Sequence, residues 1–268
     1  MVADKGGNTA EDWVPPPIDV TKPSVARIYD YFLGGKDHFA VDRQAAERVL
    51  KIAPDSPQGA LANRSFLVHA VRTMATAGVR QFLDLGTGIP TSPSVHEVAR
   101  EICPDARVVY VDNDPIVIAH NRALLARDPG VVTVMHDIRD PGTVLQDPLL
   151  RQTLDLSEPV GLLMIALLHF VPVNQGPLIM KSYRQRMVPG SHLAISVACS
   201  DGASPEAMAE LEKIYANATA PGFFRTRAQI EELFDGFQLL EPGLGSISQW
   251  RADGQPGTMP GLFGIAVR

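Results

Sequence analysis

The stretch Gln81-Phe82-Leu83-Asp84-Leu85-Gly86-Thr87-Gly88-Ile89-Pro90 narrows the folds open to this chain more than any other. Phe82 to Leu85 read as a short buried strand, and Gly86 and Gly88 turn the chain abruptly after it. Thr91-Ser92-Pro93 then opens a helix, with Ser92 as N-cap and Pro93 in the first turn, where a missing N–H costs little. Val95, Val98, Ala99 and Ile102 recur at helical spacing until Cys103-Pro104 ends the run. A strand, a glycine turn and a helix start together bring backbone N–H groups to a ligand at a positively polarised helix end. Asp84, inside the turn, suits a ligand bearing an ammonium group and hydroxyls better than a pyrophosphate.

Beyond this turn the same order repeats. Strands are expected over 107–111, 131–135, 160–167 and 192–198, with helices over 115–126 and 175–187 between them. The run from Val160 to Leu167 is apolar almost throughout, as a central parallel strand buried on both faces should be. Alternation of this kind predicts an α/β fold, a doubly wound and mostly parallel sheet with right-handed crossovers. A helix is expected over 204–218, and Thr226 with Gln229 has the form of a capping box. Residues 237–241 and 262–267 read as two strands with no helix between them, an antiparallel hairpin at one sheet edge.

Ahead of the glycine turn the pattern differs. Residues 1–22 are expected to be a loosely attached arm, which Trp13 and Val14 could pin to a surface. Three helices follow: one from Ser24 through Phe32, closed by Gly34-Gly35; one capped by Asp42 and running to about Leu50; one from about Leu61 to Ala77, set off by Pro54 and Pro57. They are expected to form a helical cap, 23–77, on a core comprising 78–268.

The net charge of −6 argues against a protein that coats nucleic acid. The two cysteines, Cys103 and Cys199, suggest neither a disulfide framework nor a metal site, which favours a reducing cytoplasm. No segment has the length and apolarity of a membrane span. Nothing in the sequence specifies an oligomeric state.

Ligands of open α/β sheets bind at the carboxyl ends of the strands, near the point where strand order reverses. Those ends carry Asp84, then Asp112-Asn113-Asp114, then His136-Asp137-Ile138, then Leu168-His169. An acid closing the second strand is placed to accept both hydroxyls of an adenosine ribose. Asp137 is placed to accept an adenine amino group, with Ile138 giving a backbone N–H and an apolar flank. Asp114, just before Pro115, reads as a helix cap.

The run 82–90, with Asp112 and Asp137 in order, resembles the cofactor site of class I S-adenosylmethionine-dependent methyltransferases. Ala26-Arg27-Ile28-Tyr29-Asp30-Tyr31-Phe32-Leu33-Gly34-Gly35-Lys36-Asp37, together with Asp42-Arg43, Asn63-Arg64 and Ser248-Gln249-Trp250-Arg251, is similar to an actinobacterial family of candidate methyltransferases with unassigned acceptors. The resemblance implies a Rossmann-like sheet of seven strands and S-adenosyl-L-methionine as cofactor. By it, Asp84, Gly86, Thr87 and Gly88 surround the methionine moiety, Asp112 the ribose, Asn113 one adenine face, and Asp137 with Ile138 its edge. It also favours Tyr31, Lys36, Asn63 and Arg64 as residues that fold over the cofactor's amino-acid end or the acceptor. Pro90 replaces the third glycine of the broader pattern, which also counts against a dinucleotide.

His169 follows the fourth strand at the position facing a transferring methyl, where an imidazole titrating near neutrality can take a proton from a hydroxyl. Tyr31 is the alternative base. The expected activity is methyl transfer to oxygen or nitrogen of a small or medium-sized acceptor. A cofactor-binding regulatory or scaffold protein, and a nucleotide-dependent oxidoreductase, are the competing readings.

Overall fold

A computed structural model describes residues 18–125, 128–250, 257 and 260–268. The arm expected over 1–22 lies outside the described residues as far as position 17, as does Arg251.

Three helices come first: α1 (Val25–Phe32), α2 (Ala40–Ile52) and α3 (Ser56–Thr76). The sheet and its crossovers follow as β1 (Gln81–Leu85), α4 (Val95–Arg100), β2 (Arg107–Asp112), α5 (Pro115–Leu125) and β3 (Val131–Met135). Two short helices that the apolar pattern does not signal, α6 (Pro141–Gln146) and α7 (Pro148–Thr153), lead to β4 (Gly161–Ile165). The remainder comprises α8 (Gly176–Arg184), β5 (His192–Ala198), α9 (Pro205–Ala216), α10 (Arg227–Glu231), β6 (Gln238–Leu239), β7 (Gly245–Ser246) and β8 (Gly261–Val267).

The strands run β3-β2-β1-β4-β5-β8-β6, with β1 to β5 parallel and β8 antiparallel to β5. β6 and β7 both pair with β8, one against Ala266 and Val267 and the other against Leu262 and Phe263. They are two pieces of one broken edge strand, so the sheet has seven positions across. The expected terminal hairpin is therefore present, with β8 lying inside the sheet rather than at its rim. Order reverses between β1 and β4, and a crevice opens there at the carboxyl ends.

Two apolar layers sandwich the sheet. α3 and α4 pack Phe66, Leu67, Met74, Val95 and Val98 on one face, against Phe82, Val108 and Leu163. On the other, Val144, Leu150, Ile179, Tyr183 and Leu233 cover Leu83, Val109, Leu162 and Ile195. A third cluster joins Ile28, Phe32, Ala46 and Val49 of α1 and α2 to Met208, Leu211 and Ile214 of α9. The roof over the crevice thus comes from both ends of the chain, while α3 belongs mainly to the sheet layer.

Several local expectations are revised. α4 is capped by Ser94, whose side chain and backbone pair with Glu97 in a capping box; Ser92 lies outside the helix. α3 begins at Ser56, ahead of the start expected near Leu61, and takes in Pro57 in its first turn, where no N–H is needed. Asp42 stands inside α2 and is fully buried, paired with Arg27 at 2.7 Å. Its oxygens also accept the backbone N–H groups of Ser24 and Phe39. The ion pair locks α1 to α2, and the Arg27 guanidinium continues to the carbonyl of Lys22. Ser24 caps α1 as expected, and its hydroxyl donates to Asp114 at 2.6 Å. Asp114 also accepts from Ile116 N–H, so the helix-cap reading of Asp114 holds and one carboxylate ties the roof to α5. No helix among the described residues is long and apolar enough to cross a membrane.

Candidate functional site

A cavity of about 330 Å³ occupies the crevice, floored by the carboxyl ends of β1 to β5 and roofed by α1, α3 and α9. Asp84, Gly86, Thr87, Gly88, Asp112, Asn113, Asp137 and Ile138 all line it, as do Asn63, Arg64 and His169. Tyr31 and Lys36 do not. Tyr31 packs its ring against His38 and Phe32, and Lys36 is exposed beyond the end of α1. The face of α1 that meets the cavity carries Tyr29 and Asp30 instead.

The glycine turn has a definite reason for its composition. Gly86 and Gly88 adopt φ of +69° and +67°, left-handed values that burden any residue with a Cβ. At Gly86 a Cβ would also stand 2.4 Å from Leu167, whereas at Gly88 it would meet open space. The N–H groups of this turn do not face a ligand as expected. Those of Gly86 and Thr87 bond the Val111 carbonyl, and that of Gly88 bonds Asp112 at 2.9 Å. The turn is consequently stitched to β2, and Asp112, which also accepts from Asp114 N–H, is fixed by both of its oxygens.

Two acids share this floor. Asp84 and Asp112 are 4% and 9% exposed, and neither forms an ion pair among the described residues. Burial raises both to about 6. Asp84 is further raised by Asp112, against the opposing pull of a hydrogen bond from Thr87 and the charge of Arg64. Arg64 itself is held by the carbonyls of Thr91 and Pro93 at the exit of the turn. Asp137 behaves oppositely. Arg139 embraces its carboxylate through Nε and the terminal nitrogen, and Asn113 bonds it as well, so its pKa falls. Ile138 is buried, with its carbonyl accepting from Tyr183.

Asn63 serves a relay between roof and floor. Its amide donates to the Tyr29 hydroxyl at 2.7 Å and its oxygen accepts from Ser196. Tyr29 donates in turn to the Ala60 carbonyl, and Ser196 accepts from Ala166 N–H at 2.8 Å. Ala166 has φ of +52°, an uncommon value for a residue with a Cβ, which swings the chain out of β4 toward His169.

His169 sits on the turn after β4. Its Nδ1 accepts the Ala198 N–H at 3.4 Å, which assigns the proton to Nε2. Burial, reinforced by the charge of Arg225, lowers its pKa to about 4. With Nδ1 taken, the neutral ring presents Nε2–H as a hydrogen-bond donor. Arg225, which no sequence signal singled out, lies fully buried behind the turn. It binds the carbonyls of Leu168, Val171 and Pro172 and so fixes where His169 stands. Tyr215 on α9 lines the cavity without having been singled out either, its position set by an insertion after β5 that the apolar pattern does not aim.

Among the described residues, no group of three His, Cys, Asp or Glu side chains has metal-holding geometry.

A family profile described as S-adenosyl methyltransferase matches residues 11–264. A solved structure of a candidate methyltransferase from Thermobifida fusca YX is 38% identical, covering 96% of this chain and 99% of its own, with a TM-score of 0.86. A DUF574 family protein from Streptomyces avermitilis MA-4680 is likewise 38% identical, over 94% of this chain and 100% of its own, at a TM-score of 0.87. A candidate S-adenosyl-L-methionine-dependent methyltransferase of Mycobacterium marinum is 26% identical over 211 residues. That match takes in 77% of this chain and 63% of the relative's length. With the sheet order, the glycine turn and the acids already described, these matches establish that the chain belongs to the S-adenosyl methyltransferase family.

Proposed function

We propose that this chain binds S-adenosyl-L-methionine across the β1–β4 crevice and transfers its methyl group to a small or medium-sized acceptor under the α1–α9 roof. One observation carries the reading: two buried carboxylates, Asp84 and Asp112, flank a left-handed glycine turn in a single cavity, and no cation among the described residues pairs with them. A ligand with an ammonium group, a sulfonium and a vicinal diol supplies what this floor lacks. Asp84 then faces the amino-acid end, with Arg64 close enough for the carboxylate, and Asp112 accepts from the ribose hydroxyls. Asn113 and Ile138 bracket the adenine, and Asp137, preset by Arg139, receives its amino group.

When bound, the cofactor supplies an electrophilic methyl group on positively charged sulfur. The chain's own part is positional. The relay of Tyr29, Asn63 and Ser196 fixes roof to floor, and Arg225 fixes the His169 turn, so the acceptor is held in line without rearrangement. In this reading His169 orients the acceptor as a hydrogen-bond donor, which replaces the role of general base expected from the sequence. Tyr31, outside the cavity, is assigned no part.

Replacing Asp112 by Asn tests the cofactor assignment. It keeps one oxygen for the Gly88 N–H but removes the charge, and should weaken calorimetric affinity for S-adenosyl-L-methionine at least tenfold, on the order of 1.5–3 kcal/mol. Unchanged affinity would remove Asp112 from the ribose site.

A further inference from the structure

The part of the cavity away from the acids has a different chemistry. Its walls are Ile28 and Phe32 of α1, Phe170 of the turn after β4, Leu211 and Tyr215 of α9, and Phe224. The rings form a continuous wall. His169 meets Phe170 at a centroid distance of 4.4 Å, and Phe170 meets Tyr215 at 5.5 Å, both edge to face.

The polar groups at this end are nearly all occupied. Tyr29, Asn63 and Ser196 bond one another. Asp30 accepts from the Asp37 N–H, its carboxylate turned against Gly35. Arg225 is enclosed by carbonyls behind the turn. Arg225 Nε is buried behind the turn without a partner, and two groups on the cavity wall also have none among the described residues. One is Nε2–H of His169, whose Nδ1 is taken by Ala198. The other is the hydroxyl of Tyr215, for which burial alone accounts for the raised pKa. Both lie on the same aromatic wall.

We propose that the acceptor is an uncharged, flat aromatic molecule whose hydroxyl accepts from His169 Nε2–H and donates to the Tyr215 oxygen, which leaves one lone pair for the methyl group. The proposal rests on the methyl-transfer reading above and narrows its acceptor. An ammonium group would meet one carboxylate, Asp30, already engaged by the Asp37 N–H, beside a cationic cofactor. A carboxylate would find two neutral donors, with Arg225 behind the turn already enclosed by carbonyls, so its desolvation would be compensated only in part. A sugar would leave most of its hydroxyls unpaired against Ile28, Phe32 and Leu211. A flat ring can stack or meet edges along the wall and carry its one hydroxyl toward the flank of Phe170 where both open groups stand. Transfer to that oxygen forms one O–C bond and breaks one C–S bond. The electron pair of the broken bond stays on sulfur, and the hydroxyl proton is lost to water at the mouth of the crevice.

The test uses the full chain and binding alone. S-adenosylhomocysteine is first titrated by calorimetry. Then 2-naphthol, 6-hydroxy-2-naphthoate, tryptamine and naphthalene are titrated into the loaded protein and into the free protein. 2-Naphthol is expected to bind at least tenfold more tightly than either charged compound, as desolvation of an unpaired charge requires. Tyr215→Phe should weaken 2-naphthol about three- to tenfold and leave naphthalene unchanged, the loss of one hydrogen bond without loss of the wall. Tighter binding of a charged compound, or no 2-naphthol binding up to about 1 mM, would overturn the proposal. Equal losses for 2-naphthol and naphthalene in the variant would overturn the hydroxyl's part in it. Failure of S-adenosylhomocysteine to bind would instead count against the cofactor reading, and the comparison on the free protein would still decide the chamber's chemistry.

Discussion

Asp84 gives a quantitative handle on the site that requires no substrate. The carboxyl is 4% exposed, and burial, helped by Asp112, raises it from 3.8 to about 6. At about 1.4 kcal/mol per unit, that shift corresponds to roughly 3 kcal/mol of instability in the ligand-free protein once the group is charged. Below pH 3.8 the carboxyl is protonated in both the folded and the unfolded chain and contributes nothing. Between there and about pH 6 the folded state binds the extra proton, so stability falls as pH rises. Above that range the full cost persists. Asp84→Asn retains the shape and an oxygen to accept from Thr87, but it carries no charge. Without cofactor, the variant should be more stable than the parent by up to about 3 kcal/mol at pH 8, and by only about 1 kcal/mol at pH 4.5. Urea denaturation at both pH values measures the difference. The same variant should bind S-adenosyl-L-methionine more weakly, which makes Asp84 a case of stability given up for ligand binding. A variant less stable than the parent at pH 8, or a difference that does not change with pH, would refute the view that this acid is held charged against its burial.

Other substitutions probe the frame around the site. Asp42→Ala strands the Arg27 guanidinium between α1 and α2 and should cost about 3–5 kcal/mol in urea unfolding. Gly86→Ala drives a methyl group into Leu167 at a left-handed φ, and loss of cofactor binding, or of the fold by circular dichroism, should exceed that of Gly88→Ala, where the added methyl meets open space. Arg225→Met removes the donors for Leu168, Val171 and Pro172, costing about 1–3 kcal/mol for each carbonyl left buried and unpaired. It also lifts a nearby positive charge, so the His169 resonance in a proton NMR titration should move upward from its pKa of about 4.

Much of the floor was legible because strand ends announce themselves. Apolar runs that stop at Asp84, Asp112 and Asp137 place three carboxyls on one rim of a parallel sheet, and all three line the cavity. The roof was harder to read. Tyr29 and Tyr31 are two residues apart on one helix, and which of them faces inward depends on how α1 is rolled against α2. The Arg27–Asp42 pair sets that roll, and a periodicity count does not see it. The role of His169 was hidden for a similar reason: its tautomer depends on an N–H from β5, 29 residues away. Arg225 reads as an ordinary surface charge until the chain folds over it. Ser94 is a different case, since Ser94 with Glu97 is a capping box legible in the sequence itself.

The split origin of the roof bears on how proteins built this way diversify. The nucleoside end of the crevice is made from neighbouring strand ends between Asp84 and Arg139, while the opposite end borrows Leu211 and Tyr215 from a helix inserted after β5. Exchanging α9 and the 217–224 segment would therefore alter what is accepted for modification and leave the donor's seat as it is. Relatives that share the floor but differ in this insertion should part company in their choice of partner molecule well before they differ in what they take the methyl group from.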